Sequence, residues 1–418
     1  MKFAELRTVS DISPILVALV LVVLAAAVCT GGSSAQTTGG VHEDEIMNLT
    51  HAYNAFGFDL YANVLGGYAS ENVFISPTSI AMALAMTLGG AGGTTEEAML
   101  RVMNLEGMDA AVRDEANRAL LDSLMDAAHG IELSIANSLW LRPGFPFHPD
   151  FIERSTRTFS ADAFNVLDAA SINGWVSEKT REKIKNIVGD VRPDDIAYLV
   201  NAIYFKGIWT KAFDPEKTAE TDFHLSDGRT VTVPMMEQSG RYRYLENEYM
   251  QAVGLPYGDE SMRMYLFLPK PGLDLDAIHG RLTGESWRTW MKGFASREGT
   301  VGLPRLRLEF RTSLVDALAS LGMEVAFSSE RADFSRMCDL SRGNVSIGDV
   351  LHKTFVEVNE EGTEAAAATA VVMRLTAVQE RPEPFTMILD RPFLMAIRDE
   401  KSGTVLFVGS IYDPAPSD

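Results

Sequence analysis

The chain is poor in cysteine, with two among 418 residues, Cys29 and Cys338. Cys29 lies in an N-terminal targeting segment, so its removal or modification leaves no pair to join and excludes a disulfide scaffold. A fold without disulfides needs a large core, and 46% hydrophobic residues over this length supply one. A surplus of positive charge is also missing. The formal charge is −20, which argues against non-specific binding to nucleic acid or to an anionic membrane. Past about Gly40 there is no linker composition, low complexity or visible repeat. A single compact domain over 41–418 is therefore expected, following a leader and flexible linker over 1–40.

Catalytic motifs are missing too. There is no Gly-x-Ser-x-Gly elbow, no His-Glu-x-x-His, no phosphate loop and no CxxC. The seven histidines are scattered. His129 and His148 read as loop or helix-end residues, and His352 sits in an apolar strand pattern, where a hydrogen-bonded core residue is expected. Gly89–Gly93 follows a helix, the reverse of a phosphate-binding order. Trp140, Trp175 and Trp209 read as packing residues, and Cys338 as a small buried hydrophobe. Neither an enzyme nor a metal or cofactor site is indicated.

The longest apolar run near the N-terminus, Ile15 to Cys29, is fifteen residues, short for a membrane span but suited to a signal core behind Lys2 and Arg7. Three readings stay open: cleavage after Ala35, a lipoprotein box with Cys29 lipidated ahead of a CTGGSSAQTTGG tether, or a retained anchor. Each places the protein outside the cytoplasm, secreted or tethered at the cell surface. Asn48-Leu49-Thr50 and Asn344-Val345-Ser346 match the glycosylation sequon.

Helical spacing runs over 45–68, 95–103, 109–128 and 171–188, with a further short helix over 311–322. Residues 72–90 predict a short strand, a Ser76 cap, Pro77 in the first turn, and a helix apolar on all sides that must be buried. ELSIANSLWL reads as a strand, and strands dominate from Asp195 onward, ending in a hairpin turned by Gly403. Helices first and antiparallel strands later indicate an α+β fold.

One stretch fits no simple element. From Thr363, every second residue (Thr363, Ala365, Ala367, Thr369, Val371, Met373, Leu375) is uncharged, while Glu364 and Arg374 fall on the alternate set. Read as a strand, it has one buriable face. Its alanines favour helix, and its flanks, Glu-Glu-Gly and VQERPEP, are loop-like. A segment poised between these states suits a conformational switch.

Together with its surroundings this stretch resembles the serpin family. The resemblance is carried by NVFISPTSI, NAIYFKGIWTKAFDPEKT, LPRLRLEF, VEVNEEGTEAAAAT and DRPFLMAIRD…GTVLFVGSI, in family order over residues 45–415. It implies a large central mixed sheet, two smaller sheets, surrounding helices and an exposed reactive loop. It also implies irreversible inhibition of a serine protease. The cleaved loop inserts into the central sheet and traps the acyl-enzyme. Family spacing puts the cut bond between Thr376 and Ala377, with Leu375 and Arg374 as alternative bait residues. Thr376 suits elastase-like or subtilisin-like targets, Leu375 chymotrypsin-like ones and Arg374 trypsin-like ones.

The resemblance makes Glu360, Gly362, Thr363, Glu364, Ala365, Ala366, Ala367 and Ala368 the hinge. It places Ser76, Ser79, Asn201 and His352 in a polar cluster beneath the sheet, and Trp209, Arg305 and Glu360 where the loop first enters. A non-inhibitory member, acting as a binding or chaperone protein, should carry charge, proline or bulk over 363–368; here only Glu364, on the outward set, is charged. A monomer is expected, and the excess of acid over base in 104–130 argues against a heparin-like activator there.

Overall fold

The computed structural model describes residues 43–126, 130–363 and 383–415. These lie within one compact unit, Val41–Asp418. Six helices open the chain: α1 (Glu43–Leu65), α2 (Pro77–Leu88), α3 (Gly93–Val102), α4 (Ala110–Met125), α5 (Pro149–Phe159) and α6 (Ala169–Lys179). Interleaved with them are β1 (Val73–Ile75), β2 (Ile131–Leu141), β3 (Asp162–Phe164) and β4 (Ala197–Ile208). Strands then follow: β5 (Ala219–His224), β6 (Thr230–Glu246), β7 (Met250–Tyr257), β8 (Met262–Pro269), β9 (Ala295–Pro304), β10 (Leu306–Ser313) and β11 (Leu351–Val358). The last are β12 (Gly362–Thr363), β13 (Phe385–Ile388), β14 (Phe393–Asp399) and β15 (Val405–Ile411).

The large central mixed sheet is present in two leaves. One has the order β12-β4-β2-β3, with β2 antiparallel to β4 and parallel to β3. The other is the antiparallel pair β10-β11. Among the described residues no ladder joins β4 to β11. Of the described strands, β12 alone lies between them, at one end. Gly362 pairs with Ile208 of β4 and bridges back to Asn359 just past β11, antiparallel in both cases. It follows that β4 and β11 run parallel, and a strand continuing from β12 would be antiparallel to both.

The remaining strands follow the path β1-β15-β14-β8-β7-β6-β9-β13, with β5 also on β6. The two smaller sheets share β6. Its 17 residues pair first with β5, then with β9, and finally with β7. β14 and β15 are almost wholly buried, as their near-continuous apolar sequence requires.

Helix α2 meets the expectation for 72–90. Ser76 caps it by accepting from Ser79 N, Pro77 stands in its first turn, and it packs against both β4 and β15. Apolar all round, it is the layer between the central sheet and β15. Close approach there needs glycine: a Cβ on Gly409 would fall 2.5 Å from Phe74, whose ring stacks on Phe407 at 5.2 Å.

Two helix expectations fail. The pattern over 171–188 gives helix only to Lys179. Thr180 then donates to Val176 O and accepts from Ile184 N, while Arg181 and Glu182 take positive φ. The apolar residues Ile184, Ile187 and Val188 are still buried, beside Trp140 and Trp175, but from an irregular turn. Over 311–322, β10 runs on to Ser313, and helical turns begin only at Val315. Gly322, at φ +112°, sits among these turns, which run on to Phe327, rather than after them. In both places burial periodicity was read as regular helix where side-chain hydrogen bonds or a glycine bend the backbone.

Strand β13 lies parallel to β9 with the Phe385 ring over Gly299, where a Cβ would stand 2.3 Å away. Gly299→Val is expected to cost about 1–3 kcal/mol, because the packed ring has no room to shift. An unchanged midpoint of thermal unfolding would refute this contact.

Candidate functional site: the gap in the central sheet

The gap between β4 and β11 widens at its foot into a cavity of about 180 Å³. Its walls include Ile80, Leu84, Leu199, Leu314 and Met337. Two polar clusters lie along the gap, one beneath its middle and one at its mouth.

The first is the expected group Ser76, Ser79, Asn201 and His352, and the structure brings all four together. Ser76 N donates to Nε2 of His352 at 3.1 Å. Ser76 Oγ donates to Leu406 O at 2.6 Å and accepts from Ser79 N at 3.3 Å. Ser79 Oγ donates to Oδ1 of Asn201, whose Nδ2 donates to Asn137 at 2.7 Å. The chain therefore runs from β11 through the start of α2 to β4 and β2, spanning both leaves without a strand between them.

Because Ser76 N–H occupies Nε2, the His352 ring is neutral with its proton on Nδ1. Burial pushes its pKa down to about 3. Sequence reasoning missed Asn137, Thr78 and Thr354. Asn137 faces Asn201 directly across the ladder and donates to Phe159 O, Thr78 donates to Val405 O, and Thr354 to Phe74 O. An amide inside the apolar strand ELSIANSLWL was the available signal for Asn137.

The mouth holds Trp209, Arg305 and Glu360, also as expected. The Trp209 ring stacks on Tyr257 at 4.3 Å, and its Nε1 donates to Asn359 O at 3.0 Å. Arg305 Nε donates to both Glu360 oxygens at 2.8 and 2.9 Å, and Thr218 donates to the same carboxylate at 2.5 Å. This is no ordinary surface pair: the Glu360 side chain is 7% exposed and that of Arg305 45%. Burial raises the Glu360 pKa, but the hydrogen bonds from Arg305 and Thr218 outweigh it and hold the carboxyl below its usual range.

Backbone bonds complete the mouth, from Phe213 N to Glu360 O and from Trp209 N to Glu361 O. Gly362, at φ +137°, has no substitute, since a Cβ would stand 2.1 Å from Gly207 O. Glu364, Ala365, Ala366, Ala367, Ala368, Arg374, Leu375, Thr376, Ala377 and Cys29 lie outside the described residues. Cys338 is buried, and desolvation lifts its thiol pKa to about 11, as an inert core residue requires.

A central sheet in two leaves, with a two-residue strand begun in its mouth and two smaller sheets beside it, defines the class of fold. This chain belongs to the serpin family: the family model described as "Serpin (serine protease inhibitor)" matches residues 51–414. It is 37% identical to an uncharacterized serpin-like protein of Thermococcus kodakarensis, over 89% of this chain and 87% of that one. It is 35% identical to a leukocyte elastase inhibitor of Xenopus tropicalis, over 88% of this chain and all of the other. Among solved structures, the thermophilic serpin tengpin in its native state superposes with a TM-score of 0.79 at 28% identity, covering 88% and 94% of the two chains. Human thyroxine-binding globulin complexed with thyroxine superposes with a TM-score of 0.80 at 25% identity, covering 89% and 100%.

Two outcomes test the clusters. Arg305→Met should cost about 1–3 kcal/mol, because it strands a buried carboxylate, and more than Glu360→Gln, which leaves a half-exposed guanidinium to water. Equal or reversed costs in urea unfolding would refute the geometry. In an NMR titration of labelled histidine, one imidazole, lost in His352→Gln, should stay neutral well below pH 6.5; a normal titration of that ring would contradict its burial.

Proposed function

We propose that this chain is an irreversible suicide-substrate inhibitor of serine endopeptidases and not a turnover enzyme. The observation that carries the reading is β12, two residues already paired antiparallel with β4 in the mouth of an otherwise open gap. Extending its register, Gly362↔Ile208 and Thr363↔Gly207, sets Thr369 opposite Asn201 and Val371 opposite Leu199. Met373 would then face Ala197, where β4 ends. The uncharged alternate set would face the α2 side, with Val371 and Met373 at the apolar foot cavity. Burying Val371, Met373 and Leu375 contributes about 1.5–3 kcal/mol each, and the new ladder satisfies both open strand edges.

The small residues Ala365 to Ala368 let insertion begin before the acyl-enzyme hydrolyses. The bait is Thr376 before Ala377, with Leu375 and Arg374 as alternatives, so the partner is an elastase-like, subtilisin-like or chymotrypsin-like protease, or a trypsin-like one if Arg374 is cut. The leader supports a monomer outside the cytoplasm, secreted, tethered through a lipidated Cys29 or held by a retained anchor. The likeness to a thyroxine-binding globulin favours a second reading, a non-inhibitory binding or chaperone protein.

Mixing with subtilisin, elastase, chymotrypsin and trypsin should give a complex that survives SDS with at least one of them. Thr363→Arg should turn the inhibitor into a substrate that is cleaved and released. Clean turnover by all four proteases, with no rise in thermal stability after cleavage, would leave only the second reading.

A further inference from the structure

Away from the gap, a separate buried polar chain ties α1 to β15. Ser410 on β15 is fully buried, and its Oγ lies 2.5 Å from the Tyr61 hydroxyl of α1 and 2.7 Å from Nε2 of His279. His279 ends the short turn Asp276–His279, and its Nδ1 stands 3.6 Å from Oδ1 of Asp276. The Tyr61 and His279 rings meet edge-on, with centroids 6.1 Å apart. The side chain of His279 is 12% exposed and that of Asp276 86%, while Tyr61 is 1% exposed. The titratable groups facing this cluster are Asp274 and Asp276 beside the histidine, Tyr61 on α1, and Tyr412 just after β15.

One ordering of protons satisfies every group. The Tyr61 hydroxyl donates to Ser410, Ser410 donates to Nε2 of a neutral His279, and Nδ1–H points to Asp276. In the reverse ordering Ser410 spends its one hydrogen on Tyr61, and the phenol hydrogen of Tyr61 is buried with no acceptor among the described residues. Nδ1 would also turn a lone pair toward a carboxylate.

We propose that Tyr61, Ser410, His279 and Asp276 form a proton-ordered clasp that fastens α1 and the Asp276–His279 turn to β15 and opens on acidification. When His279 takes up a proton, Nε2 becomes a donor, Ser410 must turn to Tyr61, and the buried Tyr61 hydroxyl loses its acceptor. Burial lowers the ring's pKa below 6.5 and prevails over Asp276, which raises it. The folded form therefore resists a proton that the unfolded chain accepts. The clasp's stability is present above pH 6.5 and is lost as pH falls, by up to about tenfold in the unfolding equilibrium per unit. β15 also accepts from Ser76 and Thr78 of α2 through Leu406 and Val405, so acid loosens the strand on which the α2 latch hangs.

The test is thermal unfolding of the full chain between pH 7.5 and 5, with NMR of labelled histidine, and needs no protease. His279→Asn should make the pH dependence measurably shallower, leaving the slope that the buried neutral His352 contributes. Tyr61→Phe keeps the histidine buried but removes the phenol hydrogen that is orphaned. It should remove at least half of the loss that His279→Asn removes and raise the His279 pKa toward 6.5. A wild-type pH slope in Tyr61→Phe would reduce the effect to plain burial and overturn the clasp. So would an unchanged slope in His279→Asn, or a wild-type His279 that titrates at or above 6.5. If His279→Asn does not fold, the NMR comparison of wild type with Tyr61→Phe decides.

Discussion

The facing edges of β4 and β11, which no ladder joins among the described residues, are the constraint on which the rest of this structure depends. Each edge presents backbone donors and acceptors that an interior strand would satisfy, and an open edge inside a sheet is costly. Two parallel strands held apart in this way form a slot for one antiparallel partner. The apolar foot of the slot adds surface without a packing neighbour.

Polar contacts hold the two leaves in place. Beneath the gap, hydrogen bonds run from His352 through Ser76 and Ser79 to Asn201 and Asn137, so α2 joins the leaves indirectly. At the mouth, Glu360 and Arg305 hold the turn that leads into Gly362. Satisfied buried networks of this kind are directional and re-form only in defined geometries. They therefore fix the leaves in one defined arrangement, whereas purely apolar packing would slide between many. The same strand that receives α2, β15, is tied at its far end to α1 through Ser410.

Much of the site was legible because its residues depart from their local pattern. Ser76 before Pro77 announced a cap, His352 stood alone in an apolar strand, and Gly362 preceded a run of small residues. Each carries its signal within a few neighbours. Asn137 was not singled out, although it faces Asn201 across the ladder, because pairing between distant strands leaves no local trace. Burial of Glu360 was hidden for the same reason: a charged residue reads as solvated until its partners Arg305 and Thr218 arrive from other strands. Over 171–188 the apolar spacing was right about burial and wrong about helix, since Thr180 diverts the backbone through its own hydroxyl.

By itself the sequence determined the α+β class, the buried α2, the C-terminal hairpin and the alternating face that begins at Thr363, because hydrophobic period and turn chemistry are local properties. Tertiary structure alone decided that, among the described residues, no ladder joins β4 to β11. It alone decided that β6 serves both smaller sheets, and that His352, Glu360 and His279 titrate below their usual ranges. Those outcomes depend on which distant strands meet and on how much water they exclude, and no stretch of chain carries that information on its own.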